Sequence, residues 1–131
     1  MAFDLEIGAA TVFMESSSEG EGGQVAVAWV LVNRMRSGHW GNTIASVCLA
    51  PFQFSSWNTS DPNRKRVALL RDDDPVLVGC QRAMREALDG VSSDPTGNAT
   101  FYFADGIDAP GWASAMRPTV KIGKHNFFAD Q

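Results

Sequence analysis

The longest apolar run of the chain, "VAVAWVLV" from Val25 to Val32, has no polar residue on any face. Its β-branched residues suit a buried strand, whereas its continuation through Asn33 to Arg36 gives a helix of ordinary length. We favour the helix. Because a helix that is apolar all round needs other elements on every side, it is predicted to form the centre of the core. Ser37-Gly38 is predicted to end it.

Composition and charge are those of an ordinary folded domain. The chain has 131 residues, of which 44% are hydrophobic and 20% charged, so residues 1–131 are expected to form a single domain. The net charge of −4 argues against nucleic acid as a partner. The apolar run is much shorter than the roughly 20 residues of a membrane-spanning helix, so no stable membrane insertion is expected. We expect the domain to be monomeric.

The first residues and the cysteines indicate the compartment in which the chain is made. Asp4 and Glu6 stand where a secretory signal would have basic residues, so no signal is predicted and synthesis in the cytoplasm is expected. Cys48 and Cys80 do not make a disulfide framework. They are predicted to be buried thiols, although pairing between them is left open.

One helix is predicted at the N-terminus, from Ala2 to about Ser18. Its apolar residues recur with the spacing of a single helix face: Phe3, Ile7, Ala10 and Met14. The glycine-rich stretch at residues 20–23 is predicted to end it. On this predicted helix Glu15 and Glu19 share one face.

The remaining segments are shorter. Helical pieces are predicted in "NTIASVC" before Pro51 and from Asp61-Pro62 to Leu70. Asp74-Pro75 is a good N-cap and first-turn pair for a longer helix that ends at Gly90. Beyond it, "ATFYFAD" is typical of a strand and "TVKIGKHNFF" of a small hairpin around Gly123. The predicted fold class is therefore α+β, mostly helical, with a small β element near the C-terminus.

A candidate catalytic group lies at the end of the first helix, in "ESSSEGEGGQ" from Glu15 to Gln24. A carboxyl group that acts as a general acid at neutral pH needs a raised pKa. Glu15 is predicted in the last helical turn, where the helix dipole disfavours added negative charge, and Glu19 adds a like charge one turn further on. Both effects favour a protonated side chain, which makes Glu15 the candidate proton donor.

The same residues allow other interpretations of this acidic stretch. Solvated acidic side chains beside a glycine-rich turn are the simplest alternative. A metal site at Glu15, Glu19 and Glu21 lacks a recognisable ligand spacing, and we expect neither a metal nor a cofactor. A serine nucleophile is poorly supported, because no G-x-S-x-G motif accompanies His39 and His125.

From Met14 onwards the sequence resembles a known family. "MESSSEGEGGQVAVAWVLVNRMRSG" is similar to the opening of the SleB-like cell-wall hydrolases, the spore-cortex-lytic group. The positions that carry this similarity are Glu15, Glu19, Gly23, Gln24, Asn33 and Arg34. Similar segments follow in the order of the family: "NTIASVC", "QFSSW", "DPTGNATFYF", "PGWA" and "IGKHNFF". The resemblance covers nearly the whole chain.

Two departures from the family pattern concern the expected substrate groove. Ser17 and Ser18 stand where the family usually has a basic residue and a glycine. Phe101 and Phe103 stand where it often has histidines. Both departures are expected to alter contacts with the substrate or the rate, and neither removes Glu15.

The resemblance implies a lysozyme-like fold, related to goose-type lysozymes and lytic transglycosylases, that acts on peptidoglycan glycan strands. In those relatives the catalytic acid belongs to a Glu-Ser pair that ends a helix, which Glu15-Ser16 reproduces. Glu15 is thus expected to protonate the oxygen between N-acetylmuramic acid and N-acetylglucosamine. Attack by the muramic 6-hydroxyl would give a 1,6-anhydro product and attack by water would give hydrolysis, and both stay open. Glu19 is expected to support Glu15 and hold the turn beside the substrate.

Five further residues are candidates for lining the substrate groove. Gln53 and Ser55 are candidates for hydrogen bonds to N-acetyl groups. The candidates for stacking on sugar faces are Trp57, Tyr102 and Trp112, with core packing as the alternative for each. His125 is expected to be a structural hydrogen-bond donor near the hairpin.

The expected partner is therefore the glycan strand of peptidoglycan. Without a visible export signal, such an enzyme suits a phage endolysin that acts in the host periplasm, although the net charge of −4 is unfavourable near an anionic envelope. The alternative is a non-catalytic glycan-binding or virion structural domain on the same fold. That domain would lose the acid, whereas Glu15 and Gln53 are both present. An amidase or peptidase is not supported, since no zinc-ligand set or Cys-His pair is recognisable.

Overall fold

The α-helices that the structure describes precede its strands along the chain. The computed structural model describes residues 2–50, 53–58 and 61–130, so Pro51, predicted to break a helix, lies outside the described residues. The helices are α1 (Ala2–Ser16), α2 (Gly20–Ser37), α3 (Ile44–Cys48), α4 (Pro62–Ala68) and α5 (Pro75–Asp89). Two short 3₁₀ helices are η1 (Ser55–Trp57) and η2 (Gly111–Ala115). The strands are β1 (Phe101–Ala104), β2 (Arg117–Ile122) and β3 (His125–Ala129).

Helix α2 lies at the centre of the molecule, as predicted. Val27 and Leu31 are fully buried in a large apolar cluster to which α1, α3 and α5 contribute. Ala26 and Val30, on another side of the helix, are buried in a smaller cluster that includes Phe127 of the sheet. The helix is therefore enclosed by helices on one side and by strands on the other, which explains why its sequence has no polar stripe.

The boundary between the first two helices differs from the prediction. Helix α1 ends at Ser16, and α2 already begins at Gly20. Glu19 occupies the N-cap position of α2, so the prediction that it shares a helix face with Glu15 is wrong. The glycines predicted to end α1 instead belong to α2. Glycine is needed at Gly23 because a Cβ there would collide with Cβ of Glu19, and this close approach has no local sequence signal.

Other helix ends follow the prediction. Asp74 Oδ1 accepts hydrogen bonds from the backbone N–H groups of Val76 at 3.0 Å and Leu77 at 3.1 Å, which fixes the start of α5. Gly90 ends α5 with a φ of 68°, and Gly38 ends α2 with a φ of 78°. Both angles lie in the left-handed region that glycine adopts without strain, so these ends were readable from the sequence.

The strands form a small antiparallel sheet in the order β1-β3-β2. The predicted hairpin around Gly123 joins β2 to β3 and is confirmed. Strand β1 pairs with the other side of β3, where Tyr102 lies opposite Phe127. The position of Tyr102 therefore depends on β3, and through β3 on the hairpin turn.

Both cysteines are free, buried thiols, as predicted. Burial raises the pKa of Cys48 and of Cys80 to about 12. Within the described ranges, no helix has the length and apolar character needed to cross a membrane.

Candidate active site

Glu15 lies in the last turn of α1, half-buried, with its carboxylate between side chains from two distant parts of the chain. The phenol of Tyr102 donates a hydrogen bond to Oε1 at 2.6 Å, and the hydroxyl of Ser56 donates one to Oε2 at 3.0 Å. Each carboxylate oxygen thus has one neutral donor. Among the residues that the structure describes, no ion pair involves Glu15. This arrangement fixes the orientation of the carboxyl group without binding it to a cation.

The Tyr102 phenol is held in its protonated, donating form. Burial and then the negative charge of Glu15 raise the pKa of Tyr102 well above its ordinary value. Its ring centroid lies 4.9 Å from that of His125 and 5.6 Å from that of Phe127. The sequence suggests sugar stacking for Tyr102, and in the structure its hydroxyl points at Glu15. The phenol is therefore a fixed donor to the candidate acid.

Ser56 reaches Glu15 because η1 is attached to α1. The indole Nε1 of Trp57 donates a hydrogen bond to Oγ1 of Thr11 in α1 at 2.8 Å, and Thr11 is fully buried. Ser56 is not among the residues selected from the sequence. The available signal was the "QFSSW" segment, in which Ser55 was chosen; the side chain of Ser55 lies outside the described part of the structure.

A buried arginine, Arg34, stands beside this site with only 4% of its surface exposed. Its Nε donates to the carbonyl oxygen of Thr100 at 2.6 Å and its Nη1 to Oε1 of Gln53 at 3.1 Å. Burial lowers the pKa of Arg34 from its ordinary value. The guanidinium carbon lies over three rings: 4.7 Å from Trp40, 4.8 Å from Phe101 and 5.1 Å from Phe54. Arg34 thus fixes the candidate substrate ligand Gln53.

Glu19 faces the hairpin turn between β2 and β3. Its Oε1 accepts a hydrogen bond from the backbone N–H of Lys124 at 2.8 Å and lies 3.9 Å from Nδ1 of His125. A Cβ at Gly123, whose φ is 59°, would lie 2.7 Å from the same oxygen. Nδ1 of His125 has no hydrogen-bond partner in the described structure. Glu19 therefore joins the α1–α2 turn to the hairpin.

Trp112 lies in η2 against the sheet. Its ring centroid is 4.9 Å from that of Phe101, 5.3 Å from that of Phe128 and 6.0 Å from that of Phe103. Phe101 and Phe103 thus form an aromatic surface with Trp112. The structure brings Glu15, Ser56 and Tyr102 together, and it leaves Trp112 on this separate surface.

Comparison with protein families identifies the group to which this arrangement belongs. The profile of a family described as cell wall hydrolases matches residues 18–128. The chain belongs to this family. The match begins just after Glu15, so it does not include the candidate acid.

Curated relatives of this cell wall hydrolase extend the match to the N-terminal helix. The chain is 33% identical over 125 residues to the spore cortex-lytic enzyme of Bacillus cereus, and 32% identical over 125 residues to that of Bacillus subtilis. Each alignment covers 95% of this chain, but only 43% and 37% of the respective relatives. The chain therefore spans less than half the length of either relative.

Solved structures resemble the whole described fold. The catalytic domain of the germination-specific lytic transglycosylase SleB from Bacillus anthracis matches with a TM-score of 0.77 and 31% identity, over 98% of this chain and 96% of that one. The catalytic domain of the Bacillus cereus SleB protein matches with a TM-score of 0.78 and 31% identity, over 98% and 91%. The predicted lysozyme-like α+β fold and the resemblance to SleB-like hydrolases are confirmed.

Proposed function

We propose that this cell wall hydrolase domain cleaves the β-1,4 bond between N-acetylmuramic acid and N-acetylglucosamine in peptidoglycan, with Glu15 as general acid and base. Family membership and the likeness to SleB catalytic domains support peptidoglycan as the substrate. The observation that carries the choice of Glu15 is its double contact, because Ser56 and Tyr102 hold each oxygen of a half-buried carboxyl group at the end of a helix.

The two donors suit the two halves of an acid–base cycle. A hydroxyl both donates and accepts, so the rotatable Ser56 hydroxyl can accept from Oε2 when that oxygen carries the proton. Tyr102 meanwhile keeps donating to Oε1. Oε2 then gives its proton to the glycosidic oxygen, the C1–O bond breaks, and N-acetylglucosamine leaves with a free 4-hydroxyl. The ionised Glu15 is afterwards stabilised by hydrogen bonds from both neutral donors.

An intramolecular second step fits this site. The muramic 6-hydroxyl attacks the oxocarbenium-like C1, its proton returns to Glu15, and a 1,6-anhydro ring forms without water. This route needs no second carboxylate as nucleophile. Glu19 is not available for that role, because its Oε1 accepts the Lys124 N–H on the hairpin side. Lytic cleavage is therefore the outcome that the arrangement favours.

We assign roles to the other candidate residues, where possible from the contacts that they make. Gln53 accepts a hydrogen bond from Arg34 at Oε1, and its amide N–H groups are proposed to donate to the carbonyl of a substrate N-acetyl group. Trp57 positions η1, since its indole N–H is already bonded to Thr11. Ser55 and Trp112 remain proposed contacts to the glycan, as a hydrogen-bonding group and a stacking surface.

Glu19 is proposed to act on Glu15 through the sheet. Its contact with Lys124 holds the β2–β3 turn, β3 pairs with β1, and β1 carries the phenol that contacts Glu15. Glu19 is thus a positioning residue rather than a substrate ligand. This role replaces the like-charge effect expected from a shared helix face.

The decisive experiment digests purified peptidoglycan with the wild type and with Glu15→Gln. The amide keeps the size of the side chain and an acceptor for Tyr102, but it cannot deliver a proton. Soluble muropeptide release should fall by about 10²–10⁴-fold. Mass spectrometry should find anhydro ends, one water lighter than reducing ends, in the wild-type digest. Equal release by both proteins would contradict the assignment of Glu15. Sedimentation of the wild type with peptidoglycan, without any release, would indicate a glycan-binding domain.

A further inference from the structure

His125 is an enclosed side chain where the hairpin meets the α1–α2 turn. It opens β3, opposite Ala104 of β1 and Ile122 of β2, and only 8% of its surface is exposed. Its ring centroid lies 4.9 Å from that of Tyr102 and 6.2 Å from that of Phe127. Two neighbouring strands and two aromatic rings therefore limit the movement of the imidazole.

One nitrogen of this ring has no partner. Nδ1 of His125 is buried and takes part in no hydrogen bond among the residues that the structure describes. Oε1 of Glu19 lies 3.9 Å from it, and each of the two side chains is 10% exposed. This distance is too long for a hydrogen bond. Because burial of a polar nitrogen without a partner is unfavourable, a closer approach to Glu19 is favoured when Nδ1 carries a proton.

Glu19 can accept a second hydrogen bond. Its Oε1 already accepts the backbone N–H of Lys124 at 2.8 Å, and a carboxylate oxygen has two lone pairs. The side chain of Lys124 is exposed. In the described part of the chain, no lysine or arginine forms an ion pair with Glu19. The charge of this enclosed carboxylate is therefore available to a cation on the hairpin side.

The other titratable groups that β1 and β2 bring near the ring already have partners. Tyr102 donates to Glu15, and burial and then the charge of Glu15 raise the pKa of Tyr102 well above its ordinary value, so the phenol stays neutral. Asp105, which follows β1, is bound by Nζ of Lys121 at 2.7 Å. Glu19 is thus the carboxylate that remains for the imidazole.

The protonation state of the ring decides whether this contact forms. A neutral imidazole has one N–H group, which either nitrogen can carry, whereas the imidazolium has a donor at both nitrogens. Histidine is the side chain whose charge ordinarily changes between about pH 5 and 8. Charge-assisted N–H···O bonds measure about 2.7–2.9 Å, so Nδ1 has to approach Glu19 by roughly 1 Å.

We propose that His125 is a positioning residue that pairs with Glu19 when it takes up a proton from solvent. Nδ1–H then donates to Glu19 Oε1, and the α1–α2 turn is bonded to β3 by a side chain as well as to the hairpin backbone. Because the His125 ring packs against Tyr102, the pair holds the phenol in place against Glu15. This last effect rests on the proposed function of Glu15.

Imidazole ¹⁵N NMR of the full-length wild type tests whether the pair forms. Near pH 5.5, Nδ1 of His125 should carry a proton that exchanges slowly with water, because the nitrogen is buried and bonded. Near pH 8 this slowly exchanging proton should be absent. An Nδ1 without a proton near pH 5.5, at which an exposed histidine is protonated, would overturn the proposal. The measurement needs no variant, so it does not depend on whether a substituted protein folds.

Urea unfolding at two pH values measures the strength of the pair. Wild type, Glu19→Gln, His125→Asn and the double variant form a cycle in which asparagine supplies a neutral donor. Because the pair needs the proton, it stabilises the fold below the ordinary histidine pKa of about 6.5, and this stabilisation is lost as the pH rises. The coupling should be about tenfold in the unfolding constant near pH 5.5 and almost absent near pH 8. Equal coupling at both pH values, or none at either, would overturn the proposal.

His39 provides the matched control, because the chain has two histidines and His39 is exposed. His39→Asn, combined with Glu19→Gln in the same type of cycle, should show no coupling at either pH. A coupling as large as that of His125 would indicate an effect of overall charge and would overturn the specific pair.

The rate of muropeptide release separates this proposal from the catalytic one. The ratio of kcat between wild type and His125→Asn should rise several-fold as the pH falls from about 8 to about 5.5, and the ratio between wild type and His39→Asn should stay constant. A constant ratio for His125→Asn would contradict its positioning role. The NMR and unfolding results require no cleavage, so full activity of Glu15→Gln would refute only the catalytic assignment.

Discussion

The phenol oxygen of Tyr102 lies 2.6 Å from Oε1 of Glu15, although the two residues are separated by 87 positions in the chain. The bond joins the last turn of the first helix to an outer strand of the sheet. The hydrogen bonding of the Glu15 carboxyl group therefore depends on how the sheet packs against the helices.

Removal of this phenol hydroxyl should impair catalysis more than folding. Tyr102→Phe keeps the ring contacts with His125 and Phe127 and removes the hydrogen bond to a charged group, worth about 1.5–3 kcal/mol. The rate of muropeptide release should fall by about 10- to 100-fold. Urea unfolding of the same protein should show that it remains folded under assay conditions. An unchanged rate would contradict the role given to Tyr102.

The ionisation of Tyr102 can be followed directly, because it is the only tyrosine of the chain. Burial and Glu15 raise its pKa in the folded protein, so the unfolded state loses this proton first as the pH rises. The stabilisation is complete below the unfolded pKa of about 10, and stability should fall by about 1.4 kcal/mol per pH unit above it. Tyrosinate absorbance should appear only with unfolding. Ionisation near pH 10 in the native protein would contradict the buried contact.

Substitution at the hairpin turn tests whether Glu19 positions the sheet. Gly123→Ala places a methyl group 2.7 Å from Glu19 Oε1, whereas Gly106→Ala, at a φ of 89°, meets nothing within 4 Å. Both substitutions carry the strain of a left-handed alanine, about 1–2 kcal/mol. Only Gly123→Ala should also lower kcat, with KM little changed. Equal kcat values in the two variants would indicate that the turn has no effect on Glu15.

Conservative replacement of Glu19 complements that comparison. Glu19→Gln keeps an oxygen that accepts the Lys124 N–H and should retain most of the activity. Glu19→Ala removes the acceptor and should behave like Gly123→Ala. Activity assays together with thermal unfolding distinguish Glu19→Gln from Glu19→Ala. A loss of activity in Glu19→Gln without a loss of stability would indicate that the negative charge of Glu19 is required.

The thiols should be unreactive in the folded protein. Burial raises the pKa of Cys48 and Cys80 to about 12, so the reactive thiolate is scarce at pH 8. A thiol-specific reagent should modify neither residue in buffer and both in denaturant. This effect stabilises the folded state below the unfolded pKa of about 8.5, and the stabilisation is lost as the pH rises toward 12. Rapid reaction in buffer would contradict their burial.

Local chemistry explains the parts of the fold that were predicted. Asp74 and Gly90 define α5 through a cap and a left-handed glycine, which are properties of a few adjacent residues. The run from Val25 to Val32 identifies a central helix because its composition leaves no face for water. The resemblance to SleB-like hydrolases supplied the fold family, which local patterns do not.

The sequence predicted neither where α1 ends nor which distant side chains contact Glu15. Glu19 was assigned to the face of Glu15 because an uninterrupted helix would put them there, but α1 ends at Ser16. Ser56, which is not among the residues selected from the sequence, contacts Glu15 from η1. The segment "QFSSW" contains two adjacent serines, and its sequence does not indicate which of them contacts Glu15.

The sequence by itself determined the central helix, the capped helix ends, the hairpin and the identity of the candidate acid, because each depends on neighbouring residues or on an ordered motif. Only the tertiary structure decided which groups surround that acid. Ser56 and Tyr102 meet Glu15 because the indole of Trp57 is bonded to α1 and because β1 is paired with β3. Those contacts join residues that are far apart in the chain, and their geometry is set by packing that no local pattern encodes.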